Sequence, residues 1–413
     1  MKKTLAFSLA LAVCACGGSS SNPNATPSTT CPPGTGTTLN ASCDPGFTQT
    51  APNKPGTVYV TFSGETLGVD GLPFPSTGDP AFVDGWAVTF DEILVVVGNF
   101  KLSPGALQST DQSVISAPVA TKSGPYVLDM HKPNGFVGKD GTEPAGGIFK
   151  WDTDDNGRAF DNNTRYAFTY DVMKAAYPAT QVNLSPAQFA DYALMVQNGW
   201  SKIYRGTATY AGTGTFPDPA IQAKFAAMPT TVHFMMGWND SGRHVNCINP
   251  DFGAGSSTAG EDLNNRGVQP NSNGAVIAQA TLHVDHFFWD KLKDHDDIKL
   301  RFDPIAAWAP ANTTAANPFD LRTLGSKPLA ATFSDGTPLP DRGPVQTSGY
   351  QCGGERPCAQ VTMNLNGVPS GNVPGLANFI AFSSQTQMHL NADGLCYDTG
   401  QHPADPFFAP GIP

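Results

Sequence analysis

Residues 86–102 read WAVTFDEILVVVGNFKL and form the strongest apolar block of the chain. From Trp86 to Phe90 every second residue is large and apolar, the period expected of a β-strand with one buried face. Further apolar residues follow as far as Leu102. The block predicts two strands, or one long strand that bends at Asp91-Glu92 or at Gly98-Asn99.

Shorter segments of the same kind recur along the chain and are rich in Val, Ile, Phe, Tyr or Thr. Gly and Pro, with 43 and 36 residues, favour many turns over long helices. We therefore predict a mainly β protein with a β-sandwich-like domain. The further predicted strands are residues 58–62, 126–130, 165–172, 202–210, 231–237, 275–284, 298–302, 360–365, 379–383 and 387–391.

Two predicted helices interrupt this series of strands. Ser185-Pro186 and Asp218-Pro219 each place a capping residue before a proline at the first helical position. Apolar residues follow both caps at positions i, i+4 and i+7, which is the spacing of one helix face. We predict a small helical insert at about 185–228 and a third short helix from residue 286 to residue 293.

The N-terminus carries a targeting pattern. Lys2 and Lys3 precede an apolar run at 5–13 that is too short to span a bilayer. Small residues then lead into Cys16 and Gly17. This pattern resembles the lipobox signal peptide of bacterial lipoproteins, in which the cysteine thiol receives a diacylglyceryl group.

The lipobox resemblance implies that residues 1–16 are a signal peptide and that Cys16 is lipidated, with Cys14 as the alternative site. Acyl chains such as palmitate would then hold the protein at a membrane, its expected partner. Gly17 in place of Asp implies the outer membrane, on its periplasmic or cell-surface face. An ordinary cleaved secretory signal is the alternative interpretation.

The composition of the remaining chain predicts two parts. Residues 17–55 are mostly Ser, Thr, Pro, Asn and Gly and are predicted to be a flexible tether. Residues 56–413 are predicted to form the β-rich domain. The net charge of −11 disfavours nucleic acid as a partner, whereas a protein or glycan partner stays open.

Export would place the cysteines in an oxidising compartment. If Cys14 is removed and Cys16 is lipidated, six cysteines remain, and their even number favours disulfides. The sequence does not fix their connectivity. Pairing by proximity gives Cys31–Cys43 and Cys352–Cys358, which leaves Cys247–Cys396 as a long-range disulfide.

Residues 152–157 read DTDDNG and resemble the start of an EF-hand calcium loop. Oxygen-bearing side chains occupy loop positions 1, 3 and 5, and glycine occupies position 6. Position 12 carries Asn163 where that family has glutamate. The predicted ligands of a structural calcium ion are Asp152, Asp154, Asn156 and Asp161. A solvated turn between strands is the alternative.

A second predicted metal site rests on histidine. His283-Val284-Asp285-His286 is the densest cluster, and on a strand His283 and Asp285 would share a face while His286 points away. Imidazole with methionine nearby suits copper or zinc. The predicted ligands are His283, Asp285, His286, His233, His389 and His131. The alternative is that each histidine is a hydrogen-bonded strand residue.

Residues 232–238, VHFMMGW, and residues 245–251, VNCINPD, resemble part of the methanobactin-associated periplasmic copper-binding proteins. The shared features are a strand that ends in glycine, an asparagine and an Asn/Asp-Pro turn. The resemblance covers about 20 residues. It implies a β-rich copper-binding fold with His233, Met235, Met236 and Trp238 near the metal.

These motifs favour an exported metal-binding lipoprotein. The alternative is a non-enzymatic adhesion or carbohydrate-binding surface module, in which calcium would be structural. The sequence contains no G-x-S-x-G, H-E-x-x-H, G-x-x-x-x-G-K-[ST] or G-x-G-x-x-G motif, which favours a binding protein over an enzyme.

Overall fold

The computed structural model describes residues 39–41, 54–76, 82–133, 137–139, 148–252, 265–291, 298–340, 342 and 375–398. The predicted signal peptide and the predicted strand at 360–365 lie outside these ranges. Most of the predicted tether does so as well. The other predicted site residues outside the described residues are Cys16, Cys31, Cys43, Cys352 and Cys358.

The prediction of a mainly β, sandwich-like protein with few short helices is confirmed. The described strands are β1 (Leu39–Ala41), β2 (Val58–Ser63), β3 (Trp86–Pro104), β4 (Ala120–Lys122), β5 (Tyr126–Asp129), β6 (Val137–Gly138), β7 (Phe149–Trp151), β8 (Tyr166–Val172), β9 (Ala179–Gln181), β10 (Lys202–Tyr210), β11 (Thr231–Trp238), β12 (Gly242–Val245), β13 (Val276–Leu282), β14 (Phe319–Asp320), β15 (Met388–Leu390), β16 (Gly394–Leu395) and β17 (Tyr397–Asp398).

These strands form two mixed sheets. The 11-stranded sheet has the order β1-β9-β5-β3-β10-β11-β14, and β4 and β8 also pair with β3. In that sheet β12 joins β8 to β17. The 6-stranded sheet has the order β16-β15-β13-β2-β6, with β7 on β2. Strand β1 lies within the predicted tether and pairs in parallel with β9.

The apolar block is one strand of 19 residues, β3, that is irregular at both of the predicted bends. Its register with β10 shifts between Arg205 and Gly206, opposite the Asp91 bend. Its register with β8 shifts between Gly98 and Lys101. Between them Asn99 has a φ of 51°, a left-handed conformation that asparagine tolerates better than most residues.

The core lies between the two sheets. Phe100 of β3 packs against Phe62 of β2 and Phe149 of β7, with ring centroids 6.0 and 4.9 Å apart. The opposite face of β3, with Leu94 and Val96, packs in a second apolar cluster. Both faces of β3 are therefore buried, which explains why apolar residues follow one another there without alternation.

The helices are short, and one of them packs through Tyr192 and Met195 on the face of the larger sheet that carries Leu94 and Val96. Asp218 caps the third helix by accepting a hydrogen bond from the backbone N–H of Ala220, as its Asp-Pro pair predicts. No described helix is long and apolar enough to cross a membrane. The helices are α1 (Glu65–Asp70), α2 (Gln188–Asn198), α3 (Pro219–Ala227), α4 (Asp303–Ala306) and α5 (Leu376–Ser383), with 3-10 turns at Pro250–Phe252, Val284–Phe288, Leu321–Ser326 and Ser384–Gln387.

Two predicted strands are wrong. Residues 379–383 belong to helix α5, in which every residue is buried. A helix buried on all sides has no polar face, so the period of its apolar residues cannot distinguish it from a buried strand. Residues 298–302 contribute only single bridges from Leu300, to Phe82 and to Trp289.

Candidate metal centre

Three histidines meet where β13 ends beside β15. These strands are antiparallel, and His389 of β15 lies opposite Thr281 of β13. His283 follows two residues after Thr281, so strand alternation directs it to the same face as His389. The third histidine, His286, comes from the 3-10 turn that begins at Val284.

That turn corrects the predicted local structure. Strand β13 ends at Leu282, and residues Val284–Phe288 form a 3-10 turn instead of more strand. A 3-10 turn places residues i and i+3 on the same side. His286 therefore returns to the side of His283, whereas a continuous strand would direct it away. The helix predicted from residue 286 to 293 was also wrong, because the turn begins earlier and ends at Phe288.

The three imidazoles are close enough to share one metal ion. One ring nitrogen from each of His283, His286 and His389 lies within 4.8 Å of the others. The ring centroids of His283 and His389 are 4.1 Å apart, and His286 lies 5.7 Å from each. Within the described part of the chain, this is the one group of three or more His, Cys, Asp or Glu residues with such spacing.

Thr386 contacts two of these histidines and indicates their tautomers. Its hydroxyl donates to the carbonyl oxygen of Ser383 at 3.0 Å, so the same oxygen accepts from Nδ1 of His286 at 2.9 Å. The Thr386 carbonyl oxygen can only accept, and Nε2 of His389 lies 2.9 Å from it. The network therefore assigns the proton to Nδ1 of His286 and to Nε2 of His389.

The third imidazole is surrounded by acceptors at the open edge of the site. Nε2 of His283 lies 3.3 Å from the carbonyl oxygen of Ala392, 3.4 Å from a carboxylate oxygen of Glu65 and 3.8 Å from Asp393. Its side chain is 15% exposed, whereas His286 and His389 are buried. Solvent therefore reaches the group from the side of His283 and the exposed Asp393.

This surrounding charge controls protonation of His283. Burial alone lowers the pKa of its imidazole, but the hydrogen bond and negative charge of Glu65 outweigh that effect. Asp285 and Asp393 add to the negative field, and the pKa of His283 is raised to about 9. A metal ion at this group would therefore compete with a proton at neutral pH.

Asp285 has a supporting position and is not one of the three grouped ligands. Its carboxylate accepts a hydrogen bond of 2.9 Å from the indole N–H of Trp289. The indole ring stacks on His286 with 3.6 Å between centroids. Burial raises the pKa of Asp285 above its usual range, and the positive charge of the nearby His283 offsets only part of that rise. The Asp285 side chain thus fixes Trp289 against one face of the ring of His286.

Two predicted histidine ligands lie outside the group. Nδ1 of His131 lies 2.9 Å from the carbonyl oxygen of Gly68. His233 lies on β11, where its Nδ1 is 3.0 Å from the hydroxyl of Thr207. The structure therefore brings together His283, His286 and His389 from the predicted set and leaves these two apart.

The residues implied by the copper-protein resemblance are core residues of β11. Met236 and Trp238 are fully buried, and Met235 is nearly so. The ring of Trp238 packs against Tyr204 and Phe287 at 4.9 and 5.5 Å. Neither methionine belongs to the histidine group, and copper binding by them stays a prediction.

The carboxylates of the predicted calcium loop have separate partners. Asp152 accepts hydrogen bonds from Lys54, Lys150 and Thr57, which together outweigh its burial and lower its pKa to about 2. Asp154 binds Arg158 and accepts from the backbone N–H of Asn156.

The last predicted calcium ligand, Asp161, accepts from the backbone N–H of Asn163 and from the hydroxyl of Thr164. Asp154 and Asp161 therefore belong to local turns, whereas Asp152 is held by the distant Lys54 and Thr57, and a calcium ion would have to replace several of these bonds. Calcium binding at this loop stays a prediction.

A disulfide fixes the outer edge of the site. Cys247 is bonded to Cys396, which directly follows β16. Strand β16 pairs with β15 and places Leu395 opposite His389. Cys247 follows β12 of the larger sheet. The bond therefore connects the hairpin that carries His389 to the other sheet.

Several residues of the site carry no motif in the sequence. Glu65 and Asp393 come from opposite ends of the described chain, and Thr386 is one of many threonines. Their roles depend on contacts between segments about 100 or more residues apart, as in the bond from His286 to Thr386.

The geometry of the site can be set beside known proteins. A scan against protein-family models, a search of curated proteins and a search of solved structures each found no match to this chain. The side chains of the site, above all the histidine group, are therefore the features that point to a function.

Proposed function

We propose that this protein is an exported lipoprotein that binds a transition metal ion, copper or zinc, through His283, His286 and His389. The observation that carries the proposal is the convergence of three imidazoles whose other ring nitrogens contact protein oxygens. Metal-binding histidines commonly present one nitrogen to the ion while the other donates to a carbonyl or carboxylate. Imidazole nitrogen suits copper and zinc better than calcium or magnesium.

The tautomers support a specific set of ligand atoms. If Nδ1 of His286 and Nε2 of His389 are protonated, the metal-binding atoms are Nε2 of His286 and Nδ1 of His389. His283 faces Ala392 and Glu65 with its Nε2, so its Nδ1 is the corresponding ligand atom. His283 would have to release its proton when the ion binds. Three neutral nitrogen donors with access for solvent would then match sites that keep one coordination position for water or another ligand.

Metal content tests the proposal directly. The mature chain is purified without chelator and its zinc, copper and calcium are measured by mass spectrometry, before and after reconstitution. We expect one copper or zinc ion per chain. His283→Gln and His389→Gln should each remove it, whereas the control His233→Gln should retain it, since His233 lies outside the group. A metal-free chain after reconstitution, or equal metal in all variants, would reject the site.

The lipid anchor is proposed from the N-terminal sequence and has its own test. We expect labelled palmitate to be incorporated by the wild-type chain in a bacterial host and to be lost in Cys16→Ser. The matched control is Cys14→Ser, which should retain the label if Cys16 is the modified residue. Label that is lost only in Cys14→Ser would move the lipid to that position.

A further inference from the structure

A buried ion pair lies beneath the proposed metal centre. Lys202, the first residue of β10, has a side chain that is 1% exposed, and its Nζ lies 2.7 Å from a carboxylate oxygen of Asp240, which is equally buried. Removing two charges from water is expensive, and a buried pair often contributes little net stability. Because net stability does not by itself account for the ion pair, the other contacts of Lys202 indicate what the pair does.

Those contacts go to the 3-10 turn Ser384–Gln387. Nζ of Lys202 donates to the carbonyl oxygen of Ser384 at 3.0 Å and to the side-chain oxygen of Gln387 at 3.2 Å. The hydroxyl of Tyr204 donates to the same Gln387 oxygen at 2.9 Å. The first and last residues of the turn are thus both held from the larger sheet.

The same four-residue turn contacts all three histidines. Thr386 bonds the rings of His286 and His389, and the carbonyl oxygen of Gln387 accepts from the backbone N–H of His283 at 2.9 Å. Lys202 and the three histidines therefore contact the same short segment, Ser384–Gln387.

We infer that Lys202 is a positioning residue for the proposed metal centre, acting through Ser384 and Gln387 on the three histidines. This inference rests on the proposed function. Asp240 neutralises the ammonium group, and the two remaining hydrogen bonds fix the turn. An ammonium group with three donors suits this task because it can bond one carboxylate and two other oxygens at once.

The experiment compares variants of the full-length mature protein that remove these bonds in two different ways. Lys202→Met with Asp240→Leu removes both charges and avoids an unpaired buried ion. Gln387→Met leaves the ion pair intact and removes the acceptor on the turn. The control is Lys224→Met, which removes a lysine from an exposed ion pair with Asp335.

Zinc affinity is measured by competition titration, and the copper-loaded forms are compared by electron paramagnetic resonance. The double variant and Gln387→Met should each bind zinc about 10-fold more weakly, a loss typical of groups that orient ligands, and should change the copper spectrum. Lys224→Met should match the wild type. Wild-type affinity and an unchanged spectrum in both test variants would overturn the inference. If the double variant does not fold, Gln387→Met decides alone.

Nitrogen-15 NMR of the histidines in the metal-free protein separates this inference from the proposed function. Wild-type protein should show single tautomers for His286 and His389, and both test variants should show mixtures. If the wild type binds no metal, the proposed function fails while the tautomers still report on Lys202. If the wild type binds metal and the tautomers are unchanged in both variants, only the role of Lys202 is refuted.

Discussion

Thr386→Val is the sharpest single test of how the histidines are held. Valine has nearly the shape of threonine and removes only the hydroxyl, which accepts from Nδ1 of His286 at 2.9 Å and donates to Ser383 at 3.0 Å. The hydrogen bond from Nε2 of His389 to the carbonyl oxygen of Thr386 involves only the backbone of Thr386, so the substitution leaves it in place. The substitution therefore removes the hydrogen bond that selects the tautomer of one of the three ligand rings, while the stacking of that ring on Trp289 remains.

The expected magnitude follows from that single loss. Groups that orient a metal ligand typically contribute 10- to 100-fold to metal affinity. Because only one of the three rings loses such a group, we expect zinc to bind about 10-fold more weakly, which corresponds to roughly 1.4 kcal/mol. The metal-free protein should also lose about 1–2 kcal/mol of unfolding free energy, because two hydrogen bonds are removed.

The assay is a competition titration with zinc and a chelating dye, paired with urea unfolding of the metal-free chain. Thr386→Ser is the matched control, because serine retains the hydroxyl and should bind zinc nearly as the wild type does. The reasoning is refuted if Thr386→Val binds zinc with unchanged affinity, or if the serine variant is weakened as much as the valine variant.

Four further results are expected. Because the pKa of His283 is raised to about 9, zinc affinity should increase from pH 7 to pH 9, and Glu65→Gln should flatten this increase in the same titration. The raised pKa of His283 also stabilises the metal-free fold below about pH 6.5 and loses that contribution as pH rises through 9, which urea unfolding at several pH values would detect. Reducing the Cys247–Cys396 disulfide should lower the unfolding free energy by about 2–5 kcal/mol; an unchanged urea midpoint after reduction would contradict this. Burial, with Asp191 and Asp129 nearby, raises the pKa of Glu92 to about 8, so its contribution to stability is present below pH 4.5 and lost as pH rises through 8. In thermal unfolding at pH 9, Glu92→Gln should therefore be more stable than the wild type. Equal melting temperatures of the two proteins would contradict the raised pKa.

Local sequence determined much of the fold. The block at 86–102 is apolar enough to be predicted as a strand from its sequence, and its two polar or glycine interruptions are the points where the strand is irregular. The Asp218-Pro219 pair starts α3 as predicted, because the cap and the proline act within one turn. The cap predicted at Ser185-Pro186 was wrong, because α2 begins at Gln188 with Ala187 at its N-cap and no side-chain cap. These features depend on neighbours a few residues away.

Tertiary packing decided the features that local patterns misassign. Helix α5 is buried on every side, so its apolar run has the same appearance as a buried strand until its surroundings are known. The end of β13 at Leu282 is another such feature, and it changes the direction of His286. Sequence alone could name the histidines at 283, 286 and 389 as candidates but could not choose among six predicted ligands.

The sequence by itself therefore determined a β-rich chain and named a set of candidate metal ligands, whereas the lipoprotein leader and the metal stay proposals. Only the tertiary structure decided which of those residues meet, because strand pairing brings His389 beside His283 across about a hundred intervening residues. It also decided what holds them. Glu65, Thr386 and Lys202 act through contacts with distant segments, and a side chain's ability to orient a ligand depends on distance and direction, which no local pattern encodes.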